Sequence, residues 1–421
     1  MPFRPETPHW PLAVLLAACL FHPWTSAASA DAVTAALSAI EEGAAAANSD
    51  AVLVMRGDEV LLERYGSEGP QLLETMSVTK SVVALAIGAL LADGHLESLD
   101  QPVHTFFPEW KQGRKADITV RMLMDHSSGL QNILRPAVEI YPAPDVLKLA
   151  LAAELTHDPG THFSYNNKAV NLLAGIIERA AGEPMDRYIE RRLLAPLGVR
   201  HGEWYRDAEG NPHAMAGLST DARGLAQIGR LVLGRGQWQG RTLVPEAFID
   251  EMLAPSRLSP ESGLLWWRRV AWVRFHADES SVAMLERAGV ETDMVDALRV
   301  LHGREFDSPE ALFAGLAEAL GDNWFERWHQ QLIAPHGIGP WRPFHARKGP
   351  VEAFEANGSL GQSIVVVPKA DLVAVRQIRS RETHEPSQDF SAFGERVQTL
   401  ADAMVEQSPS DARQTSAQQS P

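Results

Sequence analysis

Apolar positions recur every three to four residues in some stretches of this chain and cluster in short β-type runs in others. The order of those stretches outlines a fold. DAVTAALSAIEEGAAAANS (31–49) is Ala-rich with helical spacing. AVLVMRGDEVLLERYG (51–66) holds two β-rich runs joined at Gly57-Asp58, which predicts a hairpin. A long apolar helix is expected from Ser77 to Asp93, stopped at Gly94. DITVRMLMDHSSGL (117–130) reads as a short helix capped near Thr119 and ended at Gly129. NKAVNLLAGIIERAAG (167–182) and STDARGLAQIGRLVLGRG (219–236) read as amphipathic helices, the second opened by a Ser/Thr/Asp cap.

Strand patterns return toward the C-terminus. GLLWWRRVAWVRF (263–275) is rich in Trp and Val, and QSIVVVPKADLVAVRQI (362–378) predicts a second hairpin turning over Pro368–Asp371. FSAFGERVQTLADAMVEQ (390–407) predicts a closing helix. Strands at both chain ends with helices between them imply one shared sheet: an α/β (α+β) domain over 31–407 with a helical lobe at about 95–260. A further helical stretch at about 276–335 interrupts the strand-rich part and reads as an inserted subdomain. No internal repeat of fixed period is present. The tail 408–421 has too little apolar content to fold.

Composition changes the picture in three places. Of 421 residues, 45% are hydrophobic and 22% charged, which allows an ample globular core. The net charge of -16, with no basic stripe, argues against a nucleic-acid partner. The N-terminus reads as an export signal over residues 1–30: Arg4, the apolar run WPLAVLLAACLF (10–21), then an Ala-x-Ala pattern at Ala28–Ala30. The expected location is therefore periplasmic or secreted. LAAC (16–19) offers the alternative of a lipidated Cys19, but the apolar run continues past Cys19, which favours the Ala-x-Ala reading. No later stretch is long and apolar enough to be a transmembrane span.

Three clusters carry candidate chemistry. Ser77 and Lys80, three apart on one helix face, can meet. In the structural reading Ser77 caps the helix and Lys80 reaches water. In the chemical reading Lys80, kept partly neutral by apolar neighbours, removes the Ser77 proton. In HDPGTHFSYNNKAVN (157–171), Asn166 and Asn167 suit a helix cap and Tyr165 a half-buried aromatic. Alternatively Tyr165 carries a proton and Asn167 holds substrate. In FEANGSLGQSIVVVP (354–368), Gly358 and Gly361 precede an apolar strand: either a bulge, or an edge strand offering an N–H to an oxyanion.

Together, SVTK (77–80), YNN (165–167) and ANG (356–358) resemble the serine β-lactamase and penicillin-binding-protein family, in particular its class C β-lactamase, DD-peptidase and esterase branch. MLMDHSSGL (122–130), PGTHFSYNN (159–167) and GLSTDARGLAQIGRLVLGRGQWQGRTLVP (217–245) also look like that family. The resemblance implies a β-lactamase/transpeptidase-like fold, an antiparallel sheet flanked by helices with a mostly helical second lobe. It implies an acyl-enzyme serine hydrolase in which Ser77 is acylated, Lys80 and Tyr165 move protons, and Asn167 binds substrate or orients Lys80. The N–H groups of Ser77 and Ser359 would form the oxyanion hole beside Gly358. No metal or cofactor is required, and the substrate is a small molecule or peptide with an ester, amide or peptide bond. The alternative is a non-catalytic binding or sensor module on the same fold.

One departure stands out. Ala356 occupies the place where the third motif usually has Lys or His, the cation that helps hold a substrate carboxylate. This leaves acylation intact and suits an esterase or amidase better than a penicillin hydrolase. Arg347 and Lys348 are the nearest candidates in sequence to replace the charge. His126, His157 and His162 are expected in structural roles at a helix end and a turn, and Trp266, Trp267 and Trp272 in core packing. No G-x-S-x-G elbow is present.

Overall fold

The computed structural model describes residues 24–133, 135–381 and 390–406. The apolar run 10–21, Cys19 and the tail 408–421 lie outside them. Helix α1 (Trp24–Ala46) begins upstream of the expected Asp31, because the Ala- and Ser-rich segment contains no breaker. β1 (Ala51–Arg56) and β2 (Glu59–Tyr65) form the first hairpin, with Gly57 at φ 53° in its turn. β3 (Leu73–Glu74) pairs with β4 (Ser219–Thr220), and β5 (Gln237–Trp238) with β6 (Arg241–Thr242). β7 (Trp267–Val270), β8 (Val273–His276), β9 (Glu305–Phe306), β10 (His345–Lys348), β11 (Val351–Gly358), β12 (Gln362–Val367) and β13 (Leu372–Gln377) complete the strands.

The main sheet is antiparallel with six strands in the order β2-β1-β13-β12-β11-β7, so strands from both chain ends share it. β12 and β13 are buried along their whole length because both faces of the sheet are covered. On one face Val52, Val54, Val365 and Ala374 pack against α1 and the C-terminal helix Phe390–Glu406. On the other, Leu53, Ile364, Val373 and Val375 pack into a larger core with α2 (Val78–Ala92) and the helix Ala222–Leu233. Burial on both faces explains why β12 and β13 read as continuous apolar runs. Residues Val78 to Leu90 of α2 are buried, so α2 is the central helix of the molecule. α3 (Val120–Met124), α4 (Pro136–Glu139), α5 (Val146–Ala152) and α6 (Asn167–Ala181) build the helical lobe.

The structure corrects three expectations. α3 is capped by the Thr119 side chain as expected, but it ends at Met124. The Asp125 carboxylate accepts from the backbone and hydroxyl of Ser127, and His126 turns to φ 60°, which breaks the helix before Gly129. The stretch 263–275 is two strands in two sheets: β7 joins the main sheet, while β8 joins a second sheet of order β10-β8-β9. The insertion therefore contains strands as well as the helices Glu279–Ala288, Thr292–Leu301 and Pro309–Leu320, packed on a core of their own around Leu298, Leu312 and Trp328. Thirdly, β11 is not an edge strand. β7 lies outside it, but that pairing ends at Glu355↔Trp267, so Asn357 and Gly358 run on past β7.

Candidate active site

The turn before α2 holds Ser77 in place through a strained residue and two buried threonines. Met76 takes φ 49°, a left-handed conformation that a side chain of this size rarely adopts without support. The support comes from Leu218: its carbonyl accepts from the Thr75 N–H (2.9 Å) and hydroxyl (3.0 Å), and its N–H donates to Thr79 Oγ1 (3.2 Å). Ser77 occupies the N-cap position but makes no side-chain cap bond. Its Oγ instead accepts from Lys80 Nζ at 2.8 Å.

Lys80 does not reach water. It is 3% exposed, donates a second bond to the Met215 carbonyl at 2.8 Å, and places its Nζ 5.1 Å from the centre of the Tyr165 ring. Burial pushes its pKa below the ordinary lysine value, while the adjoining Tyr165 phenol works in the opposite direction. The Met215 carbonyl is itself positioned: the Met215 N–H donates to Asn171 Oδ1 at 3.0 Å, and Asn171 lies one turn after Asn167 on α6. That relay spans α2, α6 and the 213–218 loop, and no local motif marks it.

The segment before α6 fixes Tyr165 from several sides. Asn166 caps α6 by accepting from the Ala169 N–H (3.0 Å) and donates to the Leu130 carbonyl (2.8 Å). The Tyr165 carbonyl accepts from Asn132 Nδ2 at 2.6 Å, and Trp267 stacks on the Tyr165 ring with centroids 6.2 Å apart. His126 lies just past the end of α3, as expected, but no sequence signal places it against Tyr165. The two ring centroids are 4.6 Å apart, and its Nδ1 accepts from the Asn166 N–H at 3.2 Å. Burial, aided by the nearby Lys80 charge, pushes the His126 pKa down to about 3, so the ring is neutral with its proton on Nε2. His157 and His162 stack on each other at 4.1 Å on the exposed turn.

The third motif closes the far side. At Gly358 an added Cβ would stand 2.6 Å from the Thr75 carbonyl oxygen and 2.9 Å from the Ser77 nitrogen. Glycine is therefore required for the end of β11 to approach the nucleophile turn this closely. Ser77, Asn167, Gly358 and Ser359 line one cleft of about 440 Å³, with Tyr165 and Trp267 on its wall. Asn167 is 7% exposed and its Oδ1 has no protein partner. Asn357 is held by Glu355, to which its Nδ2 donates at 3.1 Å, and by Ser363, whose hydroxyl donates to its Oδ1 at 3.0 Å.

Two sequence expectations fail here. Ala356 is 0% exposed, and the proposed substitutes for the missing cation are engaged elsewhere. Arg347 pairs with Glu305 at 2.8 Å within the inserted sheet, and Lys348 pairs with Glu261. The three tryptophans also divide. Trp266 is core, Trp267 forms a wall of the cleft, and Trp272 is exposed against Gly349 and Arg274. Among the described residues, no group of three or more His, Cys, Asp or Glu side chains is placed to hold a metal, and no helix is long and apolar enough to cross a membrane.

Known proteins are similar to this chain to different extents. The chain is 29% identical over 251 residues to the 6-aminohexanoate-dimer hydrolase of Paenarthrobacter ureafaciens, covering 53% of this chain and 62% of that protein. It is 31% identical over 148 residues to the esterase EstB of Burkholderia gladioli, covering 31% of this chain and 37% of that protein. Each match thus spans less than two thirds of the relative's length. A penicillin-binding-protein homologue from Caulobacter crescentus has the same fold, with a TM-score of 0.56 at 16% identity over 88% of this chain and 98% of that one. Residues 37–389 match the Beta-lactamase family, and the chain belongs to that family.

Proposed function

We propose that the protein is a serine hydrolase that cleaves an ester, amide or peptide bond through an acyl-enzyme on Ser77. The observation that carries this reading is a desolvated lysine 2.8 Å from a serine hydroxyl that caps nothing. With Lys80 neutral, the same contact runs the other way, and Ser77 Oγ–H donates to the amine lone pair. Ser77 Oγ then attacks the substrate carbonyl carbon while its proton passes to Lys80, with Tyr165 as shuttle. The oxyanion is held by the N–H groups of Ser77 and Ser359, which line the cleft together. Collapse breaks the scissile bond, and the leaving alcohol or amine takes the proton. Water next attacks the Ser77 ester, releases the acid and restores the hydroxyl. Asn167, its carbonyl oxygen unpartnered, is suited to receive a substrate N–H or to orient Lys80.

The intact Ser77, Lys80 and Tyr165 set favours catalysis over a non-catalytic binding module. Export belongs to the same proposal. Ala36, Ile40 and Ala44 of α1, which pack into the core, follow Ala30, so removal of residues 1–30 would leave these three in place.

Incubation with a fluorophosphonate followed by intact-mass measurement tests the reading. One adduct is expected on the wild type, none on Ser77→Ala, and slowed formation on Lys80→Ala. Labelling should accelerate as pH rises through the depressed Lys80 pKa, because the amine must lose its proton before it can accept one. A folded wild type that forms no adduct at any pH would falsify the proposal.

A further inference from the structure

The surroundings of Ser77 narrow the class of substrate. No residue lining the cleft carries a charge. Its walls are apolar or aromatic, with Met76, Pro136, Tyr141, Met215, Ala216 and Trp267 around the polar groups already described. Lys80 lies beneath Ser77, almost wholly buried and occupied by the Ser77 hydroxyl and the Met215 carbonyl.

Cations around the cleft are turned to other partners or lie off its lining. Arg347 and Lys348 are paired within and beside the inserted sheet, Arg269 is paired with Glu355, and Lys168 with Glu139. Two more stand next in sequence to cleft-lining residues. Arg268 donates Nη1 to the Pro260 carbonyl at 2.6 Å, and Arg135 is exposed beside Pro136. Neither lines the cleft. A carboxylate brought into these walls would give up water without gaining a charged or bidentate partner, and that loss is large for an ion. A neutral ester or amide gives up far less and gains apolar and aromatic contact.

We propose that this cleft selects uncharged acyl donors, esters or amides whose groups on both sides of the scissile carbonyl are neutral and apolar or aromatic, and that it rejects donors bearing a carboxylate there. The proposal rests on the acyl-enzyme reading above. It assigns Tyr141 and Trp267 as the specificity-determining walls.

Matched pairs of probes test it on the wild-type protein. One pair is p-nitrophenyl butyrate against p-nitrophenyl hemisuccinate, which places a carboxylate in the acyl part. The other is an N-acyl-D-Ala-D-Ala amide against its free acid, which places a carboxylate in the leaving part. The neutral member should be favoured in kcat/KM by at least about tenfold in every pair that turns over. Equal rates, or preference for the acid, would overturn the proposal, and Arg135→Ala and Arg268→Ala would then identify the cation responsible. An adduct with fluorophosphonate but no turnover of any probe would also overturn it, since a cleft built for neutral donors must accept one of them. Failure to form the adduct is a different result: it removes the serine-hydrolase reading, and the substrate class with it.

Discussion

Two buried lysines adjoin residues that line the candidate cleft, Lys80 through Ser77 and Lys168 through Asn167, and their neighbourhoods differ in one respect. Lys80, on the floor formed by α2, meets no carboxylate: its partners are the oxygens of Ser77 and Met215, with the Tyr165 phenol adjoining. Lys168, on the first turn of α6, is 1% exposed and meets the Glu139 carboxylate at 2.9 Å. Equal burial thus serves opposite ends. Without a counter-ion, desolvation acts on Lys80 directly and favours the neutral amine, which can take a proton. With a counter-ion, Lys168 acts as a staple for the segment that carries Pro136 and Tyr141 into the cleft. The same segment is tied at its other end by Asn132, which donates to the Tyr165 carbonyl. Burial alone therefore says little about what a lysine does; its partner decides.

Replacing each lysine by a shape-matched apolar residue separates the two roles. Lys80→Met is expected to lower the acylation rate by between about a hundredfold and ten-thousandfold, the range for a lost general base. Its urea midpoint should stay the same or rise, because a desolvated amine without a counter-ion is removed. Lys168→Met should lower stability by about 3 kcal/mol, since it leaves Glu139 unpaired and that carboxylate keeps some access to water. Adding Glu139→Leu should restore most of the loss. Equal destabilisation by the two single variants would remove the contrast.

A third buried base sharpens it by pH. The His126 pKa falls to about 3 in the folded protein, against an ordinary value of 6.5, so the unfolded chain takes up a proton that the folded chain refuses. The contribution of the neutral ring to stability is complete above pH 6.5 and is lost as pH falls toward 3, with a slope of up to about 1.4 kcal/mol per pH unit. Urea titrations at stepped pH should give a shallower acid limb for His126→Asn, a residue that tolerates the left-handed backbone at this position. An unchanged limb would mean that other groups dominate acid unfolding.

The smallest expected effect belongs to Arg347 and Lys348, the cations nearest in sequence to the third motif. Arg347→Ala and Lys348→Ala remove ion pairs open to solvent, and each should change stability by no more than about 1 kcal/mol. Turnover of neutral esters should be unaltered. A tenfold change in kcat/KM from either would place that cation at the substrate after all.

Local signals made much of this legible in the sequence. The hairpin at Gly57, the α6 cap at Asn166, the closing helix and the spacing of Ser77 and Lys80 all depend on neighbours a few residues away. What stayed hidden depends on distant ones. The break between β7 and β8 is set by the Ala271 N–H donating to the Pro350 carbonyl, and nothing in WWRRVAWVRF announces it. The contact of His126 with Tyr165, the Asn171–Met215–Lys80 relay and the Lys168–Glu139 staple likewise join residues far apart in the chain. Single-residue chemistry identifies candidates for such contacts without saying which ones meet.

The pairing of β1 with β13 bears on how the molecule is assembled. Val52 faces Arg376 across the ladder, and the end of β11 presses on the Ser77 turn, so neither the sheet nor the site can close until nearly the whole chain has been made. Contacts of such long sequence separation are slow to form, because loop closure precedes any return from the pairing. A nascent chain therefore carries its serine and lysine, three residues apart, well before it holds the Gly358 and Ser359 that complete the cleft. Completion of the cleft becomes a late event in folding, coupled to delivery of the last strands.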